Sequence, residues 1–225
     1  MGIPLAIAID GPGASGKNTV GLLLAQRLGY RFVDTGAMYR ALTWLALAKR
    51  LKFADEAALT MLAEATPLRV EPVTQKNPRD GLFADGEDIT PSLHLPSVDA
   101  KVSILARIPG VRRVMVATQR RLAAEGRIVM AGRDIGTVVL PNAGLKVYLD
   151  ASLEERARRR HQELRDSGDH ISYAAVLDEL RRRDALDQER ENSPLLPAPD
   201  AHIISTEGLS PEQVVDAILA KAQDG

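Results

Sequence analysis

The chain has 225 residues, which is enough for a single domain with a sizeable core. Its formal net charge of -1 argues against a generic binder of nucleic acids or membranes, and aromatic residues at 4% are too few for a base-stacking platform. It has no cysteine, so disulfides and thiolate metal sites are excluded, which is compatible with the cytoplasmic location that we expect.

Short apolar runs alternate with longer segments of helical periodicity along most of the chain. The first run ends at a glycine and is followed by a helical pattern that stops at Gly29. Alternation of this kind predicts an α/β fold, with helices on both faces of a parallel sheet. The five predicted strands are residues 3–10, 30–36, 126–134, 145–151 and 201–207.

The stretch from about residue 67 to residue 96 breaks this alternation. It is rich in Pro, Gly and Asp and contains two strand-like segments. The second of these segments, residues 82–89, contains Asp85-Gly86, a pair that is typical of hairpin turns. We interpret the stretch as a small insertion within one domain that spans residues 1–225, rather than as a linker.

A glycine-rich loop with the pattern of a phosphate-binding loop lies between the first predicted strand and the first predicted helix. Its glycines let successive backbone N–H groups surround an anion, and the helix start adds its dipole. Lys17 supplies a mobile cation for the outer phosphates, which a simple glycine turn does not need. The predicted ATP-binding residues here are Gly11, Pro12, Gly13, Ala14, Ser15, Gly16, Lys17, Asn18 and Thr19.

Asn18 departs from the usual pattern, in which a hydroxyl group after the lysine contacts Mg²⁺. Here the hydroxyl comes one position later, at Thr19. Mg²⁺ often keeps several waters, so we expect it to bind mainly through water and substrate phosphates. Thr19 and Asp34 stay open as direct ligands, and Asp10 and Asp34 are candidates to orient metal-bound waters.

Further polar residues follow the ends of the predicted strands. Residues 34–40 read Asp-Thr-Gly-Ala-Met-Tyr-Arg after the second strand, and Arg133-Asp134 comes at the end of the third. Because the carboxyl ends of parallel strands line the ligand crevice of an open sheet, these groups are predicted to converge beside the phosphate loop. The arginines among them suit a second phosphate.

Four segments together resemble the bacterial cytidylate kinase family, and the resemblance extends from about residue 3 to the C-terminal helix. They are DTGAMYRALT (34–43), GRDIGTVVLPNA (132–143), LDAS with the ER that follows it (149–156), and RRRDALDQERENSPL (181–195). The resemblance implies a P-loop kinase with a five-stranded parallel sheet, a β-containing monophosphate-binding insertion and a helical lid over about residues 154–190. It implies transfer of the γ-phosphoryl group of ATP to CMP or dCMP, with Mg²⁺.

The same resemblance implies roles for individual residues. The acceptor phosphate would be held by Arg40, Arg133 and Arg190. The cytosine would be recognised by Ser103, Arg112 and Asp134. The remaining substrate-binding residues would be Asp34, Thr35, and, at the ribose, Tyr39 and Asp187. The catalytic residues would be Lys17, Arg183 and Arg190.

The chemistry of the acceptor agrees with these roles. Cytosine offers an amine donor beside a ring-nitrogen acceptor, so a carboxylate such as Asp134 accepts from the amine while an arginine or hydroxyl donates to the ring. Uracil places an oxygen opposite that carboxylate, which predicts CMP and dCMP over UMP. A phosphate with a second pKa of about 6 is already largely ionised, so no general base is required.

The segment EERARRRHQEL (154–164) resembles the family's mobile lid. Arg156 and Arg160 share a helical face at a spacing of four, so both are predicted to reach the triphosphate of ATP. The alternative is a solvated basic helix balanced by its glutamates. A salt-bridged surface helix is likewise the alternative for residues 181–190.

Two other functions stay open at this point. One is another P-loop kinase, acting on UMP, AMP or shikimate, and the other is a non-catalytic NTP-binding regulatory module, which needs no second phosphate site. We expect small-molecule nucleotides as its partners, neither nucleic acid nor membrane, and a monomer.

Overall fold

The computed structural model describes residues 4–71, 81–189 and 193–224. The strands are β1 (Ala6–Asp10), β2 (Arg31–Asp34), β3 (Leu68–Glu71), β4 (Gly81–Ala84), β5 (Glu87–Asp88), β6 (Ile128–Ala131), β7 (Leu145–Asp150) and β8 (His202–Ser205). The helices are α1 (Lys17–Leu28), α2 (Thr35–Ala48), α3 (Glu56–Ala65), α4 (Pro96–Leu105), α5 (Pro109–Ala123), α6 (Leu153–Asp166), α7 (Tyr173–Gln188) and α8 (Pro211–Asp224).

The main sheet has five strands in the order β2-β6-β1-β7-β8, and every pair in it is parallel. The five strands predicted from the sequence are these five, so the prediction of a five-stranded parallel sheet flanked by helices is confirmed. The predicted strand over residues 30–36 ran too far, because Asp34 accepts a hydrogen bond from the Gly36 N–H and starts α2 at Thr35.

The core lies on both faces of this sheet, as side-chain alternation along the strands requires. In β1, Ala8 faces a cluster that includes Leu42 of α2 and Val111 of α5. Its neighbours Ile7 and Ile9 face the opposite cluster, which is formed with α1 and α8. Each face is covered by helices, so both are buried and the strands read as continuous apolar runs.

The insertion forms a second, antiparallel sheet of β3, β4 and β5. Asp85 and Gly86 turn between β4 and β5 with φ angles of 52° and 83°, which is the left-handed geometry that the pair predicted. Leu82 and Ala84 of β4 belong to the same core cluster as α2. Part of the predicted insertion, residues 72–80, lies outside the described residues.

Helices α6 and α7 pack against each other over the phosphate loop. Ala157 of α6 and Val176 and Leu180 of α7 form a small core, and Ala14 of the loop packs against it. These helices occupy the segment predicted as the lid. Within the described ranges, no helix is both long and apolar enough to cross a membrane.

Candidate active site

The phosphate loop follows β1 directly and ends where α1 begins at Lys17. Its backbone conformation requires glycine at Gly11, where φ is 146° and a Cβ atom would lie 2.2 Å from the carbonyl oxygen of Leu149. Gly16, at φ 88°, caps the start of α1 in the left-handed region. The loop therefore has the curled geometry that the glycine spacing predicted.

Lys17 is buried, and its ammonium group lies against the loop itself. Nζ donates to the Pro12 carbonyl oxygen at 2.5 Å and to Ser15 Oγ at 3.2 Å. Burial lowers the pKa of Lys17 well below its usual value, and the positive charge of Arg133 lowers it further. An anion bound in the loop would offset both effects, because it would favour the charged form of the ammonium group.

A cavity of about 260 Å³ opens beside the loop, at the carboxyl ends of β1, β2 and β6. This is the edge of the sheet at which the polar residues were predicted to converge. The cavity is lined by every predicted site residue except Asp10, Gly11, Pro12, Arg156 and Arg190. Arg190 lies outside the described residues.

Asn18 of the phosphate loop contacts Asp34, the residue at which α2 is capped. The side-chain amide of Asn18 donates to Asp34 Oδ2 at 2.7 Å, while Asp34 Oδ1 accepts from the Gly36 N–H at 2.8 Å. Both oxygens of Asp34 therefore have donors from this chain. Thr35 is buried and donates through its hydroxyl to the Ala131 carbonyl oxygen at 2.8 Å, which ties α2 to the end of β6.

Two arginines predicted to hold the acceptor phosphate are paired with carboxylates. Arg40 Nη2 lies 2.7 Å from Asp99 Oδ1, and Arg133 Nε lies 2.9 Å from Asp187 Oδ2. Arg183 is close to both arginines. Burial, together with the charges of Arg133 and Arg40, lowers its pKa to about 10, so its guanidinium stays charged at neutral pH.

The predicted base-recognition residues also meet. Arg112 of α5 forms a buried ion pair with Asp134, which follows β6, and Ser103 of α4 lines the same part of the cavity. Arg112 Nη1 also approaches the Ala106 carbonyl oxygen at 3.4 Å. A carboxylate acceptor and guanidinium donors thus lie side by side. This arrangement is complementary to the amine donor and the ring-nitrogen acceptor of cytosine.

The two lid arginines of α6 are separated by the structure. Arg160 lines the cavity, where its Nη2 lies 3.6 Å from Asp99 Oδ2. Arg156 is buried beneath the loop, where it donates to the Gly13 carbonyl oxygen at 3.1 Å and pairs with Asp184 of α7 at 2.7 Å. Because these contacts occupy its guanidinium, Arg156 supports the loop from behind.

Asp10, at the end of β1, accepts hydrogen bonds from the backbone N–H groups of Ile135 and Gly136, both at 2.7 Å. These are the first residues of a π-helical turn, Ile135–Val139, that follows Arg133 and Asp134. Burial raises the pKa of Asp10 to about 6, against the opposing effect of the two N–H donors. Asp10 thus anchors the segment that carries two cavity residues, a role that the sequence did not indicate.

Several residues that sequence reasoning missed also border the site. His94 and Glu163 line the cavity, and Asp99 lies beside it, paired with the cavity residues Arg40 and Arg160. A second hollow adjoins the same loop, and Arg159, which lines it, donates to the Thr206 carbonyl oxygen at 2.7 Å. No motif marks these residues, since their roles depend on which helices meet; Arg159 was visible only as one of several lid arginines.

Comparison with known proteins gives the family. Residues 7–224 match the family model described as cytidylate kinase. The cytidylate kinase of Herpetosiphon aurantiacus is 51% identical over 220 residues, covering 97% of this chain and 94% of that protein. That of Pelotomaculum thermopropionicum is 45% identical over 219 residues, covering 97% and 96%.

A solved gluconokinase from Sinorhizobium meliloti 1021 shares the fold, with a TM-score of 0.50 at 16% identity, covering 100% of this chain and 94% of that one.

The family model and the two relatives confirm, over nearly the whole chain, the resemblance stated from the sequence motifs. By its family model and its full-length relatives, the chain belongs to the cytidylate kinase family.

Proposed function

We propose that this chain transfers the γ-phosphoryl group of ATP to CMP or dCMP, giving CDP or dCDP and ADP. The observation that carries the proposal is a single cavity with two sets of cations. Lys17 and the phosphate loop form one side of it, and Arg40, Arg133 and Arg183 form the other. A regulatory module that binds only a nucleoside triphosphate has no use for the second set.

Cytosine is the base that the pair of Arg112 and Asp134 suits best. The Asp134 carboxylate accepts from the exocyclic amine, and Arg112 donates to the ring nitrogen. These two side chains pair with each other, so the base would replace part of an existing interaction. Uracil would place an oxygen against the carboxylate, which supports CMP over UMP.

The reaction needs positioning and charge neutralisation more than proton transfer. An oxygen of the acceptor phosphate forms a bond to Pγ while the bond from Pγ to the β–γ bridging oxygen breaks, and ADP leaves with that oxygen. Arg40 and Arg133 would orient the acceptor phosphate, as would Arg190. Lys17 and Arg183 would offset the charge that develops on the transferring group.

The cavity wall fits a Mg²⁺ ion bound largely through water. Thr19 and Asp34 border the loop with a hydroxyl and a carboxylate, both oxygen groups that Mg²⁺ accepts. Within the described residues, no cluster of three or more His, Asp or Glu side chains forms a metal site of its own. Mg²⁺, when bound with ATP, would neutralise charge on the phosphates.

The second hollow would take the nucleoside part of ATP. It shares Ala14, Gly16 and Thr19 with the main cavity and extends between α6 and the start of α8. Arg159 borders it, which adds a guanidinium plane on which a base can stack. With this division, the donor and the acceptor would lie on two sides of one loop. We further expect a monomer in the cytoplasm that binds neither nucleic acid nor membrane.

Acceptor profiling tests the proposal. Purified protein is assayed for ADP formation with ATP and Mg²⁺ and, in turn, CMP, dCMP, UMP, AMP and shikimate. We expect CMP and dCMP to have the highest kcat/KM. Preferred phosphorylation of shikimate or AMP would contradict the proposal, and ATP binding without turnover on any acceptor would favour the regulatory module.

A further inference from the structure

Asp99 of α4 stands between the acceptor side of the cavity and the lid. Its Oδ1 lies 2.7 Å from Arg40 Nη2, and its Oδ2 lies 3.6 Å from Arg160 Nη2. The side chains of Asp99 and Arg40 are only 14% and 11% exposed, so this pair is largely shielded from water. Nothing in the motifs or in the family resemblance assigns a role to Asp99.

We propose that Asp99 sets the affinity of the enzyme for its acceptor, because its carboxylate competes with the acceptor phosphate for Arg40. The proposal rests on the proposed function, in which Arg40 grips the phosphate of CMP. An acidic side chain that already holds a phosphate-binding arginine must share it or release it when a phosphate arrives. Asp99 is therefore an affinity-determining residue that keeps acceptor binding weaker than the arginines alone would make it.

The hydrogen bonding of Arg40 shows that its present partner leaves it incompletely satisfied. Among the described residues, Arg40 Nε is buried and has no acceptor. A guanidinium presents Nε and Nη in a fork that matches two oxygens of one phosphate. Asp99 meets one arm of this fork, so a phosphate that engaged both arms would satisfy a donor that Asp99 leaves unpaired.

The electrostatics determine the direction of the effect. Two opposing contributions come from Asp99: it orients Arg40, which favours phosphate binding, and it places a negative charge near the phosphate, which disfavours it. Repulsion between a carboxylate and a phosphate is strong where water is largely excluded, whereas the orientation of Arg40 needs only a hydrogen-bond acceptor. Replacing the charge but keeping an acceptor oxygen should therefore strengthen binding.

Asp99, which lies beside the cavity, differs from Asp134 and Asp187, whose carboxylates line it. The resemblance gives Asp134 and Asp187 contacts with the base and the ribose, so their charges are used when the acceptor is bound. Among the described residues, the Asp99 carboxylate has ion pairs with Arg40 and Arg160. Its displaced carboxylate would still have Arg160 of the lid beside it, which keeps the charge paired after the phosphate binds.

The test uses Asp99→Asn, which keeps the size of the side chain and one oxygen for Arg40. We expect the KM for CMP to fall about tenfold, with the KM for ATP within about twofold of the wild type. The matched control is Asp178→Asn on α7, which makes the same change of charge. Its side chain is 74% exposed and pairs with Arg181 outside the cavity, so both KM values should stay unchanged.

Binding of inorganic phosphate to the enzyme without nucleotides gives a second measurement that does not depend on turnover. By calorimetric titration we expect phosphate to bind about tenfold more tightly to Asp99→Asn than to the wild type or the Asp178→Asn control. A folded Asp99→Asn protein with unchanged or weaker binding of both CMP and phosphate would overturn the proposal.

The two proposals fail separately. A wild-type protein that does not phosphorylate CMP would refute the proposed function, and the phosphate titration would still decide the role of Asp99. Asp99→Ser removes the charge with a smaller side chain and is expected to change both measurements in the same direction. If thermal unfolding shows that Asp99→Asn does not fold, the measurements on Asp99→Ser test the proposal instead.

Discussion

The side-chain amide of Asn18 donates a hydrogen bond of 2.7 Å to Asp34 Oδ2, and it thereby joins the first turn of α1 to the first turn of α2. Asn18 is the residue at which this phosphate loop departs from the common pattern. Despite this departure, the loop keeps its curled backbone geometry, and the Asn18 side chain has a role in holding two elements together. It links the element that would bind ATP to the helix that carries Arg40.

Replacing Asn18 by serine should restore a hydroxyl at the usual metal-contacting position. We expect Asn18→Ser to lower the Mg²⁺ concentration for half-maximal activity by about two- to fivefold, because one more oxygen ligand becomes available. Titration of activity with Mg²⁺ at fixed ATP measures this. Asn18→Gly removes the amide without adding a hydroxyl and serves as the control; an equal shift in both variants would contradict direct ligation.

Replacing Lys17 by alanine should remove the cation that serves the outer phosphates of ATP. We expect kcat to fall on the order of 10²–10⁴-fold, as for the loss of other preorganised electrostatic groups. Steady-state assays with saturating CMP measure the effect. Lys101→Ala on α4, whose ammonium lies over the ring of Phe53, is the control and should keep its turnover; unchanged turnover in Lys17→Ala would refute the role.

Replacing Asp134 by asparagine should damage recognition of the base more than binding of ATP. We expect kcat/KM for CMP to fall about 10²-fold and the preference for CMP over UMP to narrow, because an amide can donate to the oxygen of uracil. The KM for ATP should stay within about threefold. Since the change leaves buried Arg112 without its counter-charge, urea unfolding must accompany the assays; equal losses for CMP and ATP in a folded variant would argue against base recognition.

Replacing Asp10 by asparagine should change how stability depends on pH. The native pKa of about 6 lies above the ordinary 3.8, so the folded state holds the proton more tightly. The stabilisation from this tighter proton binding is complete below about pH 4 and is lost as the pH rises through about 6. The loss in the free energy of unfolding is roughly 3 kcal/mol, because the native pKa lies about two pH units above the ordinary value.

Urea unfolding between pH 4 and pH 8 therefore distinguishes the two proteins. The wild type should lose stability relative to Asp10→Asn as the pH rises across this window. The neighbouring charges of Asp134 and Lys17 are the same in both proteins, so the difference isolates Asp10. Parallel curves would show that the Asp10 carboxyl has an ordinary pKa in the folded protein.

Much of the fold followed from local patterns. The apolar runs at β1 and β6 and the glycine pattern after β1 predicted the sheet and the phosphate loop, because burial on both faces and a curled backbone each demand particular residue types. The pair Asp85-Gly86 predicted a turn for the same reason. Strand ends were less well predicted, since the start of α2 depends on one hydrogen bond to Asp34.

The contacts between side chains within the site were harder to predict from the sequence. Arg156 and Arg160 are both arginines and share a predicted helix face. Arg156 is nevertheless buried under the loop, whereas Arg160 lines the cavity. Asp99 belongs to no motif. The position of each is set by which helices pack together over the sheet, and residue spacing along the chain carries no information about that.

The sequence by itself determined the parallel sheet, the anion-binding loop and the supply of arginines for two phosphates, because periodicity, glycine and charge act over a few residues. Only the tertiary structure decided which carboxylate each arginine faces: Asp99 for Arg40, Asp187 for Arg133 and Asp134 for Arg112. Ion pairs depend on distances of a few ångströms between elements far apart in the chain, and those distances arise only when the helices pack.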